Sequence, residues 1–128
     1  MKVYKCEDCG AEIAVSWCSD EPAICKGEHM KEIKPGTTDA APEKHVPVVQ
    51  VEGRLVKVTV GEVSHPQTQS HLIGWVSLTT TQGEQLKRLP PHGEPSVTFA
   101  LVDGECPVEA MAYCNLHGLW SRSCSGRT

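Results

Sequence analysis

The sequence predicts an all-β protein, an immunoglobulin-like β-sandwich preceded by a small cysteine-rich module. Three observations carry that expectation. Apolar and polar residues alternate with a period of two, most clearly in RLVKVTV, where Val56, Val58 and Val60 share a face against Lys57 and Thr59. Turn signals separate the apolar runs about every 8 to 12 residues, the rhythm of a sandwich of short strands. No window sustains the 3.6-residue period of an amphipathic helix.

The elements follow in order. Residues 1–36 hold Cys6, Cys9, Cys18 and Cys25 but few strand formers, chiefly Ile13, Val15 and Trp17, too little apolar surface for a core of its own. KPGTTDAAPEK, residues 34–44, has the composition of an extended connector, which places a boundary between a module at 1–36 and a domain at 37–128. In that domain VPVVQV and RLVKVTV flank an EG turn, and LIGWVSLTT precedes a turn at Gln82–Gly83. Next come QLKRL, the double proline 90–91, and SVTFALV, with Val97, Phe99 and Leu101 on one face. A turn at Asp103–Gly104 leads into a last strand from about Val108 to Tyr113. There is no internal repeat and no low-complexity segment.

Composition narrows the function classes. A chain of 128 residues builds one moderate core plus an appendage. MKVYKCEDCG begins with charge and lacks the apolar run of a signal peptide or a bilayer span, so the expectation is a cytoplasmic protein with no membrane partner. Seven cysteines, an odd number with no export signal, argue for thiolates kept reduced for metal or redox work. With 12 basic against 16 acidic residues, a net charge of -4 and no Lys/Arg run, a phosphate-neutralising surface is excluded, and nucleic acid with it.

Candidate metal ligands concentrate in three stretches of the second domain: EKHVP with His45, SHPQTQSH with His65 and His71, and YCNLH with Cys114 and His117. A lone histidine is usually a packing or surface residue, but these all fall at loops and strand ends, with His71 expected to begin the next strand, and there a rigid sandwich presents ligands. Four imidazoles and one thiolate exceed a closed tetrahedral zinc site and leave a sixth octahedral position open, which suits iron. A thiolate donating electron density through the metal is a redox arrangement. Glu43 and Lys44 precede His45: a carboxylate able to occupy the sixth position and a cation able to draw in an anion, or, more ordinarily, a solvated charge pair. A cupredoxin-like electron carrier is the competing reading, but it wants an axial methionine after the histidine, and Gly118–Thr128 has none. A structural or hydrolytic zinc protein is a third, disfavoured by the fifth ligand.

The stretches EKHVPVV, SHPQTQSHLIGWVSL and YCNLHGLW, in that order and at those separations, resemble the superoxide reductase family, also called desulfoferrodoxin or neelaredoxin. The resemblance runs from about Thr37 to Trp120. It implies one mononuclear non-haem iron, Fe(II)/Fe(III), with His45, His65, His71 and His117 as equatorial ligands and Cys114 as the axial thiolate. Glu43 and Lys44 match the family's accessory pair. The implied activity is one-electron reduction of superoxide to hydrogen peroxide, with a rubredoxin-like electron donor and a homodimeric assembly as the implied partners.

Two departures stand out. Family members usually read HPM where this chain has His65, Pro66 and Gln67, exchanging a thioether for an amide beside the site. The first module is similar to the desulforedoxin-like unit of two-iron members, where CxxC is followed after 15 residues by adjacent cysteines. Cys6, Cys9 and Cys25 match, but Lys26 replaces the last cysteine. Cys18 and His29 are the candidate substitutes, and the module is expected to fold without a second iron or zinc. Cys106 and Cys124 are expected to be plain thiols, His92 a turn residue, and Trp75 and Trp120 walls of the site and filling for the core.

Overall fold

The computed structural model describes residues 1–7, 9–15, 30–37, 41–61 and 65–124. The chain divides into two compact units, Met1–Lys34 and Pro35–Thr128. In the first, β1 (Lys2–Cys6) lies between β2 (Glu12–Val15) and β3 (Met30–Ile33), antiparallel to both, with Tyr4 opposite Ile13 and Val3 opposite Ile33. Cys6 N donates to Ala11 O and Gly10 N to Cys6 O, each at 2.8 Å, closing the turn that carries Cys6 and Cys9. Cys18, Cys25, Lys26 and His29 lie outside the described residues, so the expectation for that metal site meets no geometry.

The second unit is the expected sandwich. One sheet has the order β10-β9-β6-β7 and the other β4-β5-β8, seven strands in two antiparallel layers. The strands are β4 (Pro47–Glu52), β5 (Leu55–Val60), β6 (Ile73–Thr80), β7 (Gly83–Arg88), β8 (Ser96–Ala100), β9 (Pro107–Cys114) and β10 (Gly118–Ser123). The period-two pattern decides which side chains face inward: Val56, Val58 and Val60 from β5 meet Val76 and Leu78 from β6 and Ala110 and Ala112 from β9, with Phe99 filling the centre. Side chains of β7 cap the open rim of β8, since Gln85 Nε2 donates to Ala100 O at 3.1 Å and Lys87 Nζ to Thr98 O at 2.7 Å. Those carbonyls would otherwise template another strand.

Three details correct the sequence reading. The connector is not wholly extended, because Pro42–His45 forms a single helical turn, α1, opened by the proline's preset φ. A further strand, β10, follows His117; GLWSRS has no clean alternation, and its pairing with β9 supplies the order instead. His71 stands two residues before β6 begins at Ile73, in a turn.

Candidate metal centre

His45 ends α1 and points inward. It is 3 % exposed, and its Nδ1–H donates to Ala41 O at 2.7 Å, which leaves Nε2 as the bare nitrogen. His65 repeats the device. At 2 % exposure its Nδ1–H donates to Pro66 O at 2.6 Å, again presenting Nε2. His71 closes a tight turn in which Thr68 N donates to His71 O at 2.9 Å and His71 N donates to Thr68 Oγ1 at 3.1 Å.

Cys114 is the last residue of β9 and is fully buried, on the same core-facing side as Ala110 and Ala112. His117 follows in the three-residue turn that joins β9 to β10, where Cys114 pairs with Gly118. Gly118 takes φ +82, a left-handed conformation that glycine adopts without strain, and this lets so short a turn hold both donors at one place. The turn is tied to the His71 loop by Asn115, whose Oδ1 accepts from Leu72 N and whose Nδ2 donates to Ser70 O, both at 2.9 Å.

The structure brings His45, His65, His71, Cys114 and His117 together, with one donor atom from each lying within 4.8 Å of all the others. The imidazoles form a closed square. His45 meets His65, His65 meets His71, His71 meets His117 and His117 meets His45, with centroids 4.7 to 5.1 Å apart and rings edge to face at 73° to 80°. Cys114 Sγ lies 3.8 Å from His117 Nδ1. Trp120 stacks on His45 at 5.1 Å and 24°, and its Nε1–H donates to His117 O at 3.0 Å. It walls the site as expected. Trp75 does not: it pairs with Tyr113, the neighbour of Cys114 on the opposite face of β9, and stacks on that ring at 5.9 Å.

Burial disfavours the charged form of three of the four imidazoles. Burial, reinforced by the other three imidazoles, pushes His65 down to about 4 despite the Pro66 carbonyl. Burial also lowers His45, helped by the charges of His117 and Lys44 and opposed by the Ala41 carbonyl and Glu43. His71 is lowered by burial, then by His117, His45 and Lys44. Lys44 and Glu43 are both exposed, on the turn that carries His45. Of the remaining candidates, Cys106 is exposed and Cys124 buried in the core, while His92 is an exposed turn residue at φ +66.

A metal fits these residues. His65 Nε2 and His71 Nε2 are buried with no hydrogen-bond partner among the described residues, a cost of about 1–3 kcal/mol each that a bound cation removes. His45 Nε2 and His117 Nδ1 stand 3.0 Å apart, the separation of adjacent nitrogens on one metal when each bond is about 2.1 Å. Neutral imidazoles with the second nitrogen hydrogen-bonded to backbone are the usual state of metal-bound histidine.

Fold and site together define a β-sandwich protein with a clustered imidazole–thiolate donor set able to hold a metal. The family model for desulfoferrodoxin matches residues 37–123. A desulfoferrodoxin homolog from Archaeoglobus fulgidus is 41 % identical over 120 residues, covering 94 % of each chain. The desulfoferrodoxin of Nitratidesulfovibrio vulgaris is 40 % identical over 119 residues, covering 93 % of each. Among solved structures, the superoxide reductase from Treponema pallidum superposes with a TM-score of 0.75 at 50 % identity, covering 82 % of this chain and 90 % of that one. The chain therefore belongs to the desulfoferrodoxin family, and family and donor cluster together point to iron as the metal.

Sequence reasoning missed two contributors to the site. Asn115 lies inside a motif already singled out, and its amide beside a thiolate at a strand end was the signal. Gln67 reads in the sequence as a departure from the family pattern, and nothing local to it signals its bonds to Ile73 and Pro90.

Proposed function

We propose that the protein is a superoxide reductase, with His45, His65, His71, His117 and Cys114 holding one mononuclear iron per chain. The observation that carries the reading is the closed square of four imidazoles with the Cys114 thiol in the same cluster. Held by these residues, an iron would supply the single electron that reduction of superoxide requires. The chain supplies the rest. Lys44 lies near enough for its charge to bear on both His45 and His71, so it raises the local concentration of a small anion and orders a proton-donating water. Each superoxide takes up one electron and two protons to become hydrogen peroxide. Glu43 is exposed on the same turn as Lys44, its charge bears on His45, and its role in this reading would be to close the centre in the oxidised state. Burial of Cys114 fixes the direction of the sulfur and shields it from oxidants.

The same reading includes a rubredoxin-like electron donor, a homodimer and a cytoplasmic location. Leu116, 60 % exposed beside His117, offers apolar contact to such a carrier. Among the described residues no helix is long and apolar enough to cross a membrane. The reading also keeps a desulforedoxin-like module at 1–36 with an incomplete metal site before an iron domain at 37–128, and the division of the chain at Lys34/Pro35 supports the boundary between them. A cupredoxin-like centre has no support in a cluster of five donors.

The test is stoichiometric. Anaerobically purified, reduced protein is expected to contain one iron per chain and to yield one hydrogen peroxide per superoxide consumed without releasing dioxygen. Its oxidised form should show a thiolate-to-iron absorption band that mild reductant bleaches. Half a peroxide per superoxide with dioxygen evolved means dismutation, and colourless zinc protein removes the redox reading altogether.

A further inference from the structure

Gln67 stands in the ligand loop two residues after His65 and four before His71, and it is only 8 % exposed. Its carboxamide is fully employed. Oε1 accepts from Ile73 N at 2.8 Å, Nε2 donates to Ile73 O at 3.0 Å, and the second N–H of Nε2 donates to Pro90 O at 3.1 Å. The first two bonds imitate a rung of β-ladder between a side chain and the first peptide of β6. The main chain adds a fourth bond, His92 N donating to Gln67 O at 2.8 Å, and His92 holds a left-handed φ of +66 that costs a non-glycine residue on the order of 1 kcal/mol. One residue thus clasps three segments: the loop bearing two imidazoles, the start of β6, and the 89–92 loop.

We infer that Gln67 is a positioning residue for the metal centre, setting the separation of the His65 and His71 rings by tying the His65 half of their loop to Ile73 and Pro90. The inference rests on the iron-site reading above. The loop is short, so slack at its middle reaches both rings. His71 is held from the other side by Asn115 through Ser70 and Leu72, and without Gln67 the His65 half of the loop loses its anchor to the sheet. Hydrogen bonds made directly to metal-binding side chains govern affinity by about 10- to 100-fold, and Gln67, which holds the ligand loop and not a ring, is expected toward the lower end of that range.

The test compares the full chain with Gln67→Leu, which fills a similar volume and removes all three of the side-chain bonds. Three readouts are followed: release of Fe(II) to a chromogenic chelator at 25 °C, the thiolate-to-iron band of the oxidised protein, and the melting temperature of the metal-free chain. Release is expected to be about 10 times faster than from the parent, with a shifted band. Val56→Ala, a truncation inside the core, lowers stability without touching the ligand loops and should release iron at the parent's rate. Parent-like release and an unshifted band for Gln67→Leu overturn the inference, whatever happens to its melting temperature. Should that variant fail to fold, Gln67→Asn, which retains the amide but falls a methylene short of Ile73, carries the same comparison with the same expected rise. A parent that retains no iron would instead refute the iron-site reading itself.

Discussion

Trp120 joins the stability of the fold to the geometry of the metal centre, and its replacement makes a quantitative test. The indole is 5 % exposed, stacks on His45 at 5.1 Å and donates to His117 O at 3.0 Å, so it supports one ligand by its face and another by its edge. Trp120→Phe keeps an aromatic surface beneath His45 but loses the donated hydrogen bond, about 1 kcal/mol. The smaller ring buries less area and adds about another 1 kcal/mol, for a total near 2 kcal/mol. Trp120→Ala removes the whole buried ring and should cost about 4 kcal/mol, within the usual range for emptying such a site. Urea denaturation of the metal-free protein, extrapolated linearly to water, measures both. In the iron-loaded protein both variants should also release metal faster than the parent, Trp120→Ala more so, because the turn bearing His117 is no longer pinned. A Trp120→Phe variant within about 0.5 kcal/mol of the parent would refute the claim that the indole edge bears on the His117 turn.

Other perturbations test separate parts of the reading. Lys44→Ala is expected to slow the superoxide encounter several-fold at low ionic strength and to approach the parent's rate at high salt, where steering is screened; equal rates across a salt series would remove Lys44 from that role. The metal-free chain should lose stability as pH falls from about 6.5 towards 4, because the unfolded chain protonates His65 near 6.5 while the folded one does so only at about 4. With allowance for solvent screening the loss is on the order of 2 kcal/mol, and a His65→Gln variant melted over the same pH range should show a shallower slope. Phe99→Ala, at the fully buried centre of the sandwich, should cost about 3–5 kcal/mol in denaturation while leaving the thiolate-to-iron band of the folded protein where it was.

The parts of this protein legible in one dimension are those whose determinants are local. Alternation in RLVKVTV names the buried face of β5 because side chains on a strand point up and down in turn, and no distant residue can change that parity. The five donors were legible for a different reason: imidazole and thiolate at loop and strand-end positions are chemically costly to keep together for anything but a metal. β10 escaped notice because GLWSRS has no period of its own and is ordered by pairing with β9. Trp75 and Trp120 look alike in sequence, each beside a ligand stretch, and only the register that sets Trp75 beside Tyr113, on the far face of β9 from Cys114, separates them.

Which nitrogen of each ring faces the centre was likewise beyond the sequence. It follows from where Ala41 O and Pro66 O happen to lie, and a histidine's tautomer answers to its acceptor. The cyclic order of the four imidazoles and the clasp at Gln67 belong to the same class. Residue types and strand parity are properties of the chain, whereas hydrogen-bond partners and ring order exist only once segments remote in sequence have been packed side by side.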